Sequence, residues 1–137
     1  MLATIERSAH LIAAYLDHAL TGAHITQAEA HVLAQLHRRG PTSIGDLQRE
    51  FGHKRSTLTS VIDRLETRGW VRREINPADR RSFVIHLTRG GKSAARQVTA
   101  VLDELESHVR AQVSGRDLKG LEAVAAALAA AVERTTG

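Results

Sequence analysis

Three observations predict an α+β fold that is mainly α with a small β-hairpin. Apolar residues recur at helical spacing through most of the 137 positions. Between Val71 and Leu87 the period drops to two, the repeat of a strand with one buried face. Gly22, Gly40-Pro41, Gly52 and Gly69 stand where the helical stripes stop.

The elements follow in order. A first helix over 4–20 carries Leu11, Ile12, Tyr15, Leu16 and Ala19 on one side. Thr26 and Glu29 have capping-box spacing, in which each side chain satisfies an otherwise orphan backbone N–H. Ala28, Val32, Leu33 and Leu36 then give the second helix its buried stripe. Ser43 and Asp46 repeat the capping pattern for a short third helix with Ile44, Leu47 and Phe51. A fourth helix, 55–68, buries Leu58, Val61, Ile62 and Leu65. In the strands that follow, Val71, Arg73 and Ile75 share one face, as do Phe83, Ile85 and Leu87. Asn76-Pro77-Ala78-Asp79-Arg80-Arg81 joins them, which predicts a hairpin with a long, basic loop at its tip. Thr88 caps a fifth helix with a seam of Val98, Val101, Leu102, Leu105, Val109 and Val113. Ser114 and Asp117 start an Ala-rich last helix on which Leu118, Leu121, Val124, Leu128 and Val132 face one way. No internal repeat or linker divides the chain, so a single domain spans 1–137.

Composition narrows the function. Hydrophobic residues at 42% and charged residues at 25% are ordinary globular values and argue against disorder. With no cysteine, a disulfide framework, a thiolate zinc site, a Cys nucleophile and a thiol redox sensor are all excluded. No apolar run approaches a membrane span of about 18 residues and no signal pattern follows Met1, so the expectation is a soluble, cytoplasmic protein. Charge is concentrated in the middle. From His53 to Arg96 there are eleven Lys and Arg against four acids, net +7, which leaves −3 for the rest of a chain whose total is +4. Such a basic centre suits an anionic partner. Only Phe51, Phe83, Trp70 and Tyr15 are aromatic, too few for a base-stacking platform, so duplex phosphate is favoured over single strands.

The third and fourth helices, joined through Phe51-Gly52-His53-Lys54, match a helix-turn-helix. Opposite its buried stripe the fourth helix presents Ser56, Ser60, Asp63 and Thr67, flanked by Thr59 and Arg64. Short hydroxyl side chains let a helix axis approach base edges, and a flanking Arg reaches guanine or phosphate. Arg72 and Arg73 in the first strand and Arg80 and Arg81 at the hairpin tip suit a narrow minor groove.

The stretch from Gly52 through Asp63-Arg64-Leu65 and Gly69-Trp70-Val71 to Arg73 resembles the recognition helix and first wing strand of the MarR family of bacterial regulators. Asn76-Pro77-Ala78-Asp79-Arg80-Arg81-Ser82 and Leu87-Thr88 with Gly91 resemble that family's wing and the entry to its next helix. The resemblance implies a winged helix-turn-helix lobe over 26–91, with dimerisation helices at 1–21 and 92–137. It further implies a homodimer that represses transcription at a pseudo-palindromic duplex operator. Release would come from a small phenolic or carboxylate effector. Carried over, Lys54, Arg55, Ser56, Thr57, Thr59, Ser60 and Arg64 belong to the recognition helix. Arg72, Arg73, Asp79, Arg80 and Arg81 belong to the wing, with Asp79 bracing a wing Arg. His10, Tyr15 and His18 would line the effector pocket. Lys54 departs from the family's usual Ser cap and offers a phosphate contact instead.

Other readings are weaker. A non-specific architectural DNA-coating protein would share the basic centre but needs no polar recognition face. Gly91-Lys92-Ser93 lacks the earlier Gly of a phosphate-binding loop, since His86 stands there. No two of the eight His lie three or four residues apart, and no nucleophile is paired with a base. Neither metal, cofactor nor enzymatic activity is expected.

Overall fold

The computed structural model describes all residues, 1–137. Six helices are formed: α1 (Leu2–Ala19), α2 (Gln27–Arg39), α3 (Ile44–Phe51), α4 (Arg55–Thr67), α5 (Arg89–Arg110) and α6 (Gly115–Thr136). Three strands, β1 (Thr42–Ser43), β2 (Val71–Asn76) and β3 (Asp79–Leu87), make an antiparallel sheet in the order β1-β3-β2. The chain forms two compact units, 1–103 and 104–137. No helix is long and apolar enough to cross a membrane.

In the first unit the predicted stripes converge on one core. Leu16, Leu33, Leu36, Leu47, Leu58, Ile62, Leu65, Ile85 and Val98 are fully buried. The helix-turn-helix closes through Gly52, whose left-handed backbone (φ +65°) ends α3. The junction from α4 to β2 is tighter. Gly69 (φ +75°) reverses the chain, and the Trp70 N–H reaches back to the Leu65 carbonyl at 3.0 Å. There the Thr88 hydroxyl donates to the Gly69 carbonyl (2.6 Å) and accepts the Gly91 N–H (3.0 Å). A Cβ on Gly91 would lie 1.8 Å from the Trp70 carbonyl oxygen, so only glycine admits this approach. The Leu-Thr-x-x-Gly pattern is thus a clasp that fixes the base of the hairpin to the start of α5.

Three sequence expectations need correction. Thr26 accepts the Glu29 N–H at 3.2 Å, but the Glu29 carboxylate does not return to the Thr26 backbone. It accepts the Thr26 hydroxyl instead and is otherwise engaged with α4. Ser43 likewise caps Asp46 (3.1 Å) while the Asp46 carboxylate turns to Arg49. Second, a third strand, β1, is present that the periodicity does not show, because two residues are too few for a period; it pairs Thr42 with Ile85 and Ser43 with Val84. Third, the hairpin has no long loop. Only Pro77 and Ala78 turn the chain, and Arg80 and Arg81 lie within β3.

The reason is a register shift. Ile75 pairs with Phe83 but the next residue, Asn76, pairs with Asp79, so Arg80, Arg81 and Ser82 bulge from the ladder. Side chains replace the missing ladder bonds: Asn76 Oδ1 accepts the Ala78 N–H and Asp79 Oδ1 accepts the Arg81 N–H, both at 3.0 Å.

In the second unit, Ser114 and Asp117 form a fully reciprocal capping box. The Ser114 hydrogen bonds hold the Asp117 carboxyl below its usual range. No residue of α6 is buried, and Leu121, Leu128 and Val132 are among its exposed apolar side chains.

Candidate nucleic-acid interface

α4 buries Leu58, Val61, Ile62 and Leu65 and leaves Ser56, Thr57, Ser60, Asp63 and Thr67 exposed, with Thr59 half-buried. The Ser60 hydroxyl donates to the Ser56 carbonyl (3.1 Å), which keeps it close to the helix axis with its lone pairs outward. Lys54 occupies the N-cap position without a side-chain cap bond, so the first turn of α4 keeps orphan N–H groups beside two exposed cations, Lys54 and Arg55. Across from this face stands the wing, whose bulge carries Arg80 and Arg81, both exposed, with Arg81 turned to the groove beside α4. Between wing and helix runs an open groove of about 360 Å³, lined by residues that include Ile44, Arg55, Thr59, Arg81 and Phe83.

The structure sorts the predicted arginines into two groups. Lys54, Arg55, Arg80 and Arg81 make no ion pair within the chain and stand exposed. The others are engaged. Arg73, on the inner face of β2, grips Asp63 and donates to Glu66 Oε1 at 2.8 Å, tying the wing to the later turns of α4. Arg72 pairs with Glu74 on the outer face, where His86 Nε2 also lies 2.9 Å from Glu74. The bond from Arg72, helped by its charge and by His86, holds the Glu74 carboxyl below its usual range. Arg64 donates through Nε to Glu29 Oε1 at 3.1 Å. Asp79 braces the wing, but through the Arg81 backbone rather than a guanidinium.

Sequence reasoning missed the other half of this scaffold. Glu29 is buried (2% exposed) and faces both Arg64 and Arg68 of the α4 end. Arg68 also donates to the carbonyls of Ala23 and His24, each at 2.7 Å, and lies 3.9 Å above the Trp70 ring. His24 is the only non-glycine residue with positive φ (+52°), a conformation stabilised here by the bond from Arg68 to its carbonyl. One signal was available. Glu29 falls in phase with Val32, Leu33 and Leu36, so an acid sits on the apolar stripe of α2.

Comparison with known proteins decides the family. The MarR family model matches residues 25–83. Over 127 residues the chain is 34% identical to the HTH-type transcriptional regulator PecS of Dickeya dadantii, covering 90% of this chain and 76% of that protein. This chain belongs to the MarR family. As a MarR-family chain it is a helix-turn-helix, DNA-binding transcriptional regulator. It is also 28% identical over 114 residues to an uncharacterized regulator, YwhA, of Bacillus subtilis, covering 83% of this chain and 82% of that one. Its backbone matches S. aureus MepR in a DNA complex with a TM-score of 0.77 at 20% identity, over 95% of this chain and 96% of that one. These matches and the observed element order agree on a winged helix-turn-helix fold.

The residues expected around an effector sit on α1. His10 and His18 are exposed, Tyr15 is half-buried, and His10 lies 3.6 Å from Glu6 one turn earlier. The groove beside the wing includes none of them. No cluster of three or more His, Asp or Glu side chains could hold a metal ion.

Proposed function

We propose that this MarR-family regulator is a sequence-specific repressor that binds duplex DNA as a homodimer. α4 lies in a major groove and presents Ser56, Thr57, Thr59, Ser60 and Arg64 to base edges. Arg80 and Arg81 enter the adjacent minor groove from the bulged wing, and Lys54 and Arg55 contact phosphate at the α4 N-terminus. Arg73 holds wing and helix in register, while Arg72 stays paired with Glu74 within the wing. The observation that carries this reading is the division of the basic residues: those facing away from the scaffold are unpaired, and they frame a hydroxyl-rich helix face. An architectural protein needs the first feature but not the second.

The dimer rests on apolar side chains left uncovered. Leu2 and Leu11 of α1 and Leu121 and Val132 of α6 are each more than half exposed. A second copy covering them would make 1–21 and 92–137 the dimerisation helices and set two half-sites about 34–36 Å apart on a pseudo-palindrome. Release by a small phenolic or carboxylate effector near Tyr15, in the cytoplasm, completes the reading.

The test is selection from a random duplex pool by the full-length protein, followed by fluorescence anisotropy on the selected and a shuffled duplex. A two-fold related consensus, bound about a thousand-fold more tightly than the shuffled duplex, is expected. Equal affinity for both would replace the proposal by an architectural role.

A further inference from the structure

Arg64 is held in an unusual way for a residue on a DNA-facing helix. Its Nε is fixed by Glu29 Oε1 at 3.1 Å, while the side chain as a whole is 51% exposed. The anchor itself is 3% exposed, so it is unavailable to any DNA. A guanidinium held through Nε keeps its two terminal nitrogens, Nη1 and Nη2, free to donate together from a plane whose orientation the bond restricts. Arg64 is one turn beyond Ser60, on the flank of the hydroxyl face turned towards α2. A long flexible side chain in this position would ordinarily lose rotamer freedom on binding; here the bond to Glu29 already reduces that freedom in the unbound protein.

We infer that Glu29 is a positioning residue for DNA recognition: without touching DNA, it presents the free end of Arg64 to the operator, and so sets the affinity of the α4 face. This rests on the reading of α4 as the recognition helix. Glu29 has a second partner, Arg68, at 3.5 Å, whose other bonds go to the Ala23 and His24 carbonyls. A purely structural Glu29 would act through Arg68 and the fold, and a positioning Glu29 acts through Arg64. The two roles therefore separate by partner.

The experiment is a double-mutant cycle on the full-length protein, read by anisotropy on the selected duplex at a temperature where circular dichroism shows every variant folded. Arg64→Ala is expected to lower operator affinity about tenfold or more, the loss of one good Arg contact. Glu29→Ala should lower it nearly as much, and Glu29→Gln, which keeps an acceptor for Nε, should recover part of the loss. In the Arg64→Ala background, replacing Glu29 should change affinity less than twofold. Arg68→Ala should lower the melting temperature while leaving the affinity of the folded protein near wild type. Should Glu29→Ala not fold, Glu29→Gln completes the same cycle. Additive losses, or a Glu29 effect reproduced by Arg68→Ala, overturn the inference while leaving the proposed function standing. A wild-type protein that selects no sequence overturns both.

Discussion

The two flanks of α4 are clamped by the same chemistry with the charges exchanged. On the wing side the scaffold supplies the cation, Arg73, and the helix supplies Asp63 and Glu66. On the α2 side the scaffold supplies the carboxylate, Glu29, and the helix supplies Arg64 and Arg68. Their burial differs as well. The acids gripped by Arg73 are 58% and 43% exposed, whereas the Glu29 side chain is 3% exposed. Water competes for the acids on the wing side, whereas on the α2 side it reaches Arg64 and Arg68 but hardly Glu29. The helix is therefore tied to the core through a buried carboxylate and to the wing through solvent-accessible ones, which makes the wing-side tie the looser of the two.

Breaking the buried clamp should have the largest effect on stability. Arg68→Ala deletes two bonds to carbonyls, a partner of a buried carboxylate and the contact over Trp70. A loss of about 2–3 kcal/mol is expected. Thermal unfolding would register this as a drop of roughly 5–15 °C. An unchanged melting temperature would mean the clamp is ornamental.

Breaking the wing-side clamp should separate stability from binding. Arg73→Ala costs about 1 kcal/mol in stability, because its acidic partners can return to water. Its effect on operator affinity should be the greater of the two, since nothing else ties Asp63 and Glu66 to β2. Equal effects on folding and binding would contradict the proposed looseness of the wing.

The smallest effect concerns pH. His31 of α2 packs against Phe51 (ring centroids 6.1 Å apart), which in turn meets His53 in the turn before α4. Burial first, then the positive charges of Arg38 and His53, hold the His31 imidazole below its usual value of 6.5. The unfolded chain therefore binds this proton more readily than the folded one. Stability should be intact above pH 6.5 and decline as the pH falls below it. His31→Gln should flatten that decline in denaturant titrations at several pH values, and an unaltered slope would assign it to other groups.

The sequence made the helices legible because their ends are written in local chemistry. Thr26, Ser43 and Ser114 each accept an N–H three residues on, and Gly52 and Gly69 take the left-handed turns their positions require. The first half of the α5 seam was equally plain, with Val98 and Leu102 buried, as were the residues of the exposed α4 face; Val113 lies beyond the end of α5 at Arg110, and no residue of α6 is buried. What was not legible lies in side chains that abandon the local pattern for a distant partner. Glu29 has the spacing of a capping box, yet its carboxylate serves Arg64, 35 residues away. Arg73 looked like a wing contact for DNA because its alternation with Val71 and Ile75 gives the face it points to, but not the acids waiting there. The wing bulge was hidden for a related reason. Asn76 and Asp79 substitute their own oxygens for ladder partners, so a stretch that looks like a polar loop is strand almost to its tip.

In the proposed division of labour, α4 reads sequence while the wing supplies sequence-independent charge. That division is tested most directly by the salt dependence of binding for Arg81→Ala and Ser60→Ala on the selected and shuffled duplexes. Arg81→Ala should weaken binding to both duplexes and lower the slope of log affinity against log salt by about one, the loss of one cation that displaces counterions from the duplex. Ser60→Ala should keep the wild-type slope and the affinity for shuffled DNA, and lose preference for the selected site. If both variants bind both duplexes like wild type, the assignment of helix and wing to these roles is wrong.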